Sequence, residues 1–402
     1  MSGALTPLAT GVNVTLLLLA IPAIAATGYL AFLTLLSARV APPPERTITR
    51  FDVLVPAHDE AAGIGATVAS LRAMTYPAEM VRVIVIADNC SDATAALARG
   101  AGALVLERRS ATERGKGYAL ACGYAASLDD GFADAVVVVD ADTSVSPNLL
   151  HAFSARFADG ADAAQAEYGV RNAQASWRTR LMVLALTMFH TVRSLGRERL
   201  GVSCGLRGNG MAFSTALLRR VPPCAYSIVE DVEYGIALGL QGVRVVYVPE
   251  AAVHGDMPAT ATASTSQRER WEGGRVELMR THVPRLLAAA RGPAGAVALD
   301  LAVDVLVPPL TTLGAYVAAG LVAVAVAVAS GAATGMGVIP WLVALAGLLL
   351  YVIRGAVLSG SGARAVLDLA WAPVFVVWKL TLLFSPTRRT GDWVRTARPD
   401  ET

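Results

Sequence analysis

Two long stretches of the chain carry no charged side chain, residues 1–38 and residues 305–353. A helix needs about 20 apolar residues to cross a bilayer core. The first stretch therefore predicts one membrane span, near residues 12–36. The second predicts two, near 305–330 and 338–353, separated by Gly331-Ala-Ala-Thr-Gly-Met-Gly337. A fourth apolar stretch, 365–384, is interrupted by Asp368, Pro373 and Lys379. Between the spans the pattern changes to short β-branched runs separated by helix-length segments. Phe51-Asp-Val-Leu-Val-Pro56 predicts a buried strand, followed by a helix over 61–73. Further strands are expected at 81–87, 103–106, 135–139 and 243–248. Such alternation predicts an α/β domain with a mainly parallel sheet and helices on both faces.

Hydrophobic residues make up 54% of the chain and charged ones only 16%, which suits burial in lipid as well as in a core. The N-terminal stretch competes with a cleaved signal peptide, because Ala23-Ile-Ala25 is small-x-small. It lacks a basic leading region and its apolar run is longer than a signal core, which favours a retained span. Arg39, Arg46 and Arg50 follow, around Pro42-Pro43-Pro44. Positive charge beside a span favours the cytosolic side, so the middle of the chain is expected in the cytosol. The expected division is a membrane helix over 1–38, a cytosolic domain over 39–299, membrane helices over 300–385 and a basic tail over 386–402. That tail carries Arg388, Arg389, Arg395 and Arg398 and is expected on the cytosolic side. A net charge of +2 gives no nucleic-acid footprint. Cys90, Cys122, Cys204 and Cys224 have neither metal nor redox spacing and are expected to be reduced.

In parallel sheets ligands bind beyond the carboxyl ends of the strands, and here those ends are acidic. The first strand runs into His58-Asp59-Glu60, the second into Asp88 and the fourth into Asp140-Ala-Asp142. Two carboxylates at that spacing can hold a hard divalent cation with open positions for diphosphate oxygens. A solvated turn is the plainer reading, since Asp is common where strands end. Placement directly behind four valines brings the two readings level.

Pro56-Ala-His-Asp-Glu60, Asp88-Asn-Cys-Ser-Asp92, Gly115-Lys-Gly117, Asp140-Ala-Asp142, Glu230-Asp231 and Gln267-Arg-Glu-Arg-Trp271 occur in that order. This series resembles the membrane-bound branch of the family-2 glycosyltransferases with a Gln-x-x-Arg-Trp motif. That branch includes cellulose, chitin, hyaluronan and poly-N-acetylglucosamine synthases and ceramide glucosyltransferase-like enzymes. The resemblance covers residues 51–275 and implies a GT-A fold. It implies that Asp59, Glu60 and Asp88 contact the nucleoside and that Lys116 faces the nucleotide pocket. Asp140 would seat the donor and Asp142 would ligate Mg²⁺ or Mn²⁺ on the diphosphate. Asp231 would be the general base, and Gln267, Arg270 and Trp271 would lie over donor and acceptor. The usual Asn-Glu-Glu after the first strand is replaced by Asp59-Glu60-Ala61.

The implied function is inverting transfer of a hexosyl or N-acetylhexosaminyl unit from a UDP-sugar, at the cytosolic face of a bacterial cell membrane. The acceptor is a growing polysaccharide or a lipid glycosylated once. Two rivals are a nucleotide-sugar binding membrane protein without turnover and a sugar-phosphate nucleotidyltransferase. The second has no need of spans. His254 is expected after a strand, as a third metal ligand or a surface-loop histidine. Gly208-Asn-Gly210 is a plain turn or a backbone approach to the donor sugar. Gly63-x-Gly65 lacks the third glycine of a dinucleotide fingerprint and is set aside. Residues 177–200, with five arginines around an apolar middle, form a covering helix of the domain or a helix docked on anionic lipid.

Overall fold

A computed structural model describes residues 7–227, 229–257 and 276–371. Gln267, Arg270 and Trp271 lie outside the described residues, as do the apolar stretch beyond Trp371 and the basic tail.

Eight strands form one mixed sheet: β1 (Phe51–Ala57), β2 (Val81–Asp88), β3 (Leu104–Arg108), β4 (Ala135–Val138), β5 (Ser144–Val145), β6 (Ala163–Val170), β7 (Met211–Ser214) and β8 (Val245–Gly255). Their spatial order is β3-β2-β1-β4-β7-β6-β8-β5. β1 pairs in parallel with β2 and β4, β2 with β3, and β6 with β8. β7 runs antiparallel between β4 and β6. Every residue of β1 is buried, because both faces of the strand are covered. Side chains alternate across a strand, so Val53, Val55, Val85 and Val137 enter one core while Leu54, Ile84, Ile86 and Val136 enter the other. An acid sits in this interior. Asp52 is fully buried and bonded by Arg82 at 2.8 Å and by Ser127 Oγ at 2.5 Å.

The last strand begins at Val245 rather than Val243. Gly242 stands at φ 72° and the Val243 amide bonds back to Leu238 O, closing the preceding helix. The strand runs on to Gly255, so His254 lies within it and not after it.

Among the described residues, three helices are long and apolar enough to cross a membrane: Ala9–Leu36, Leu310–Ala329 and Gly335–Leu358. The span expected to begin at 305 begins at Leu310. Pro308 and Pro309 interrupt the run, since proline lacks the N–H a helix interior needs. Residues Gly295–Leu306 form a separate helix before that break. The three helices pack through small residues around Trp341, with Ala20, Ala23 and Ala344 fully buried. A Cβ at Gly320 would lie 2.1 Å from the Trp341 ring, so only glycine permits this approach. Leu18, Ile21, Leu35, Val322, Val326 and Val343 point outward from the same helices.

Residues Trp177–Leu186 and Arg193–Arg199 are helical and joined by a π-helical segment, Thr187–Val192. This unit is wedged between the sheet domain and the spans: Leu184, Met188 and Val192 share a core with Leu30 and Tyr351. Arg193 and Arg197 turn inward onto aspartates rather than outward to lipid.

Candidate active site

The loops leaving β1 and β2 are tied to each other. Asp59, at φ 53°, accepts the Ser91 amide at 2.6 Å and the Asp92 amide at 3.3 Å. Asp92 accepts the Ala61 amide at 3.0 Å, and Thr94 Oγ1 accepts the Glu60 amide at 2.8 Å. Ligand atoms of Asp59, Cys90 and Asp92 lie within 4.8 Å of one another. Their oxygens already hold backbone amides, so this group shapes the loops.

Asp88 ends β2 with no exposed surface. Its Oδ1 accepts Arg108 Nη1 at 2.8 Å, while Oδ2 has no partner among the described residues. Asn89 follows at φ 52°; its Oδ1 accepts the Ser110 amide at 2.8 Å, and its buried Nδ2 likewise has no partner. Two consecutive residues thus each carry a buried polar atom without a partner among the described residues. Buried groups of this kind are costly unless something completes them.

Lys116 opens the helix Lys116–Asp130 behind Gly115, whose φ of 127° suits glycine alone. Its Nζ lies 2.5 Å from Asp140 Oδ1, 2.5 Å from Gly208 O and 3.8 Å from Glu230 Oε1. Gly208 has φ 77°, and a Cβ there would stand 3.3 Å from Asp231 Oδ2. Gly208-Asn-Gly210 is a turn that lets backbone pass between Lys116 and Asp231. Asn209 secures it: Oδ1 accepts the Asp140 amide at 3.1 Å and Nδ2 donates to Thr143 Oγ1 at 2.8 Å. Gln165 on β6 holds it from below, donating to Asn209 O at 2.7 Å and accepting the Arg207 amide at 2.9 Å.

Asp142 lies on the turn between β4 and β5, whose carbonyl at Ala141 accepts Thr67 Oγ1 at 2.7 Å. β5 pairs with β8, setting Ser144 opposite His254. The His254 ring lies against Gly169, where a Cβ would come within 2.7 Å of Cδ2. Tyr168 on β6 completes the group. Burial and then the charges of Asp140, Asp142 and Asp231 push its phenol above the ordinary range.

Asp231 is in the first turn of the helix Glu230–Leu240. Burial raises the Asp231 carboxyl above its ordinary value, with Lys116 and Arg207 pulling the other way. Burial likewise pushes Glu230 up to about 7, against Lys116. For Lys116, burial lowers the pKa, but the carboxylates of Asp140, Glu230 and Asp231 outweigh it and raise it. The ammonium is therefore permanently charged among three acids.

The structure brings Lys116, Asp140, Glu230 and Asp231 together, with Asp142 on the adjoining turn. It sets Asp59, Glu60 and Asp88 in the neighbouring loops. Asn89, Gln165, Tyr168 and Arg207 were not among the residues expected from sequence. Asn89 stood directly beside an expected residue, whereas the others carry no local signal.

Residues 49–274 match the profile of Glycosyltransferase like family 2. The chain is 24% identical over 238 residues to the "Probable glycosyltransferase YdaM" of Bacillus subtilis (strain 168), covering 57% of this chain and only 56% of that protein. In fold it is similar to the mannosyltransferase PcManGT from Pyrobaculum calidifontis, solved in complex with GDP-Man and Mn²⁺. There the TM-score is 0.54 and the identity 16%, over 86% of this chain and 97% of that one. With the profile spanning more than half of its length, this chain belongs to the Glycosyltransferase like family 2.

Proposed function

We propose that the chain transfers a sugar from a nucleotide diphosphate to a hydroxyl of a glycan or lipid, with inversion, at the cytosolic face of a membrane. The observation that carries this reading is the convergence of Lys116, Asp140 and Asp231 around Gly208. In a single displacement the acceptor oxygen bonds to the anomeric carbon as the bond to the diphosphate breaks. The hydroxyl proton passes to Asp231. Lys116 keeps Asp140 fixed and lowers the cost of the crowded carboxylates. Gln267, Arg270 and Trp271 are assigned to the donor and acceptor by the family motif alone.

The fit of a divalent cation rests on donor chemistry. Asp140 and Asp142 act together on Tyr168, and both offer hard oxygen ligands of the sort Mg²⁺ and Mn²⁺ prefer. Asp142 would hold the ion beside Asp140. When bound, such an ion neutralises the charge that develops on the departing diphosphate. PcManGT, which was solved with Mn²⁺, supports the same assignment by analogy of fold.

Asp88 Oδ2 and Asn89 Nδ2 offer the base an acceptor and a donor, a pair that each nucleobase can answer, and the motif resemblance favours uracil. UDP is the donor preferred here, with Asp59 and Glu60 assigned to the nucleoside loops. A GDP-sugar is the second reading, on the same pair of atoms. Supplying the purified chain in lipid with a panel of UDP- and GDP-sugars tests this, with products read by mass spectrometry. Transfer from neither class would sink the reading.

A further inference from the structure

Two cations, Lys116 and Arg207, act on the Asp231 carboxyl. Lys116 belongs to the donor side, bonded to Asp140. Arg207 belongs to the membrane side. Its guanidinium lies 4.3 Å over the ring of Phe189, in the π-helical segment that packs on the spans. The Arg193 guanidinium lies 4.9 Å from the same ring. Arg207 Nη2 donates to Cys204 O at 2.8 Å, and Arg197 Nη1 reaches that carbonyl at 3.3 Å.

The three arginines differ in how they are neutralised. Arg197 pairs with Asp300 at 2.6 Å and with Asp304 at 3.0 Å, and Arg193 pairs with Asp304 at 3.2 Å. Arg207 feels the charge of Asp304 but makes no ion pair within 4.0 Å among the described residues, and its buried Nε has no hydrogen-bond partner there. Arg197 Nη2, fully buried in the same cluster, is also unpartnered. Two guanidinium N–H groups therefore lack an acceptor where sheet domain and membrane helices meet. A guanidinium fork suits phosphate oxygens, and bonds to such an anion are among the strong ones. The adjoining Gly208 is the residue whose Cβ would lie 3.3 Å from Asp231 Oδ2.

We propose that Arg207 forms an acceptor subsite for a phosphate ester, which holds a membrane acceptor so that one of its hydroxyls reaches Asp231. The phosphate is not consumed; it anchors the molecule while the hydroxyl elsewhere in it reacts. The hydroxyl's role rests on the reading of Asp231 as base, whereas the anion site does not.

The test uses the full chain in maltoside micelles, which contain no phosphate. Probes are phosphatidylglycerol, diacylglycerol and soluble glycerol 3-phosphate, with retention of labelled lipid on the immobilised protein as readout. Phosphatidylglycerol should be retained at least tenfold better than diacylglycerol. Arg207→Gln should lower that retention about tenfold or more, and Arg207→Lys by less, with UDP affinity unchanged. Displacement of the lipid by glycerol 3-phosphate supports a site for the phosphate itself; binding of the soluble ester alone, with neither lipid retained, overturns the membrane acceptor. Equal retention of the two lipids by the wild type overturns the proposal and needs no variant that folds. So does an Arg207→Gln protein that keeps the lipid, or one that loses UDP instead. If Asp231→Asn keeps both Arg207-dependent retention and full transfer, the base assignment fails while the anion site stands.

Discussion

Lys116 Nζ meets Asp140 Oδ1 at 2.5 Å, joining the first residue of a helix to the residue that ends the fourth strand's run. The same ammonium stands 3.8 Å from Glu230 Oε1, so it offsets the repulsion between Asp140 and the acids that open the helix Glu230–Leu240. Lys116→Met removes the cation and leaves Asp140, Glu230 and Asp231 together. The unsatisfied carboxylates should cost roughly 1–3 kcal/mol of stability. Chemical denaturation at pH 7 should show that loss, and much less of it at pH 5, where Glu230 is protonated.

Glu230 itself gives a pH signature. Its pKa in the fold is about 7, above the value of 4.5 for the free side chain. A raised carboxyl contributes stability that is fully present below the unfolded value and is lost as pH rises through the folded one. The wild type should therefore lose melting temperature between pH 5 and pH 8 more steeply than Glu230→Gln. Parallel melting curves for the two proteins would mean that Glu230 is ionised throughout.

Where the sheet domain meets the long apolar helices, Arg197 is buried against Asp300 and Asp304, and Tyr29 Oη donates to Asp300 at 2.9 Å. Removing one partner of such a cluster strands the others, at a typical cost of about 3–5 kcal/mol. Arg197→Met should destabilise the protein by that order. Asp300→Leu added to it should recover part of the loss, because fewer buried charges are left unpaired. Strict additivity of the two losses in detergent would show that Arg197 and Asp300 do not depend on each other.

The legible parts of the fold are those where a local pattern and its tertiary surroundings agree. β1, β2 and β4 are β-branched runs buried on both faces, and their acidic ends announce the site. β6 was not legible: Ala163-Ala-Gln-Ala-Glu-Tyr-Gly-Val170 has little strand propensity, and pairing with β8 and β7 sets its conformation. Tyr168 and Gln165 ride on that strand, so their place beside Asp142 and Asn209 was hidden with it. Counting charges alone also carried the second span back to residue 305, through Pro308 and Pro309.

Metal dependence is expected to run through Asp142. Asp142→Asn should weaken UDP binding measured with Mn²⁺ and reduce turnover sharply. EDTA should abolish wild-type transfer, with Mg²⁺ or Mn²⁺ restoring it. Undiminished transfer in EDTA would return Asp140-Ala-Asp142 to the status of an ordinary turn.

The sharpest prediction falls on Asp231. A sugar or lipid hydroxyl is a poor nucleophile and needs a base within hydrogen-bond reach of its proton. Asp231 is held in a helix first turn, close to the Gly208 backbone and under the charges of Lys116 and Arg207. Burial raises its pKa, which makes the carboxylate a better proton acceptor than an exposed aspartate at about 3.9. It also means that transfer should fail on acidification earlier than an ordinary aspartate would cause. The acid limb of kcat/KM should therefore lie above that of an ordinary aspartate, and Glu230→Gln should leave it in place, because Glu230 is already protonated there. Loss of a general base commonly costs about 10²–10⁴-fold in rate. Asp231→Asn, which keeps the shape of the side chain, should lose transfer by that order while binding UDP as the wild type does. Near-normal turnover in this variant, or loss of UDP binding together with turnover, would remove Asp231 from the role of base.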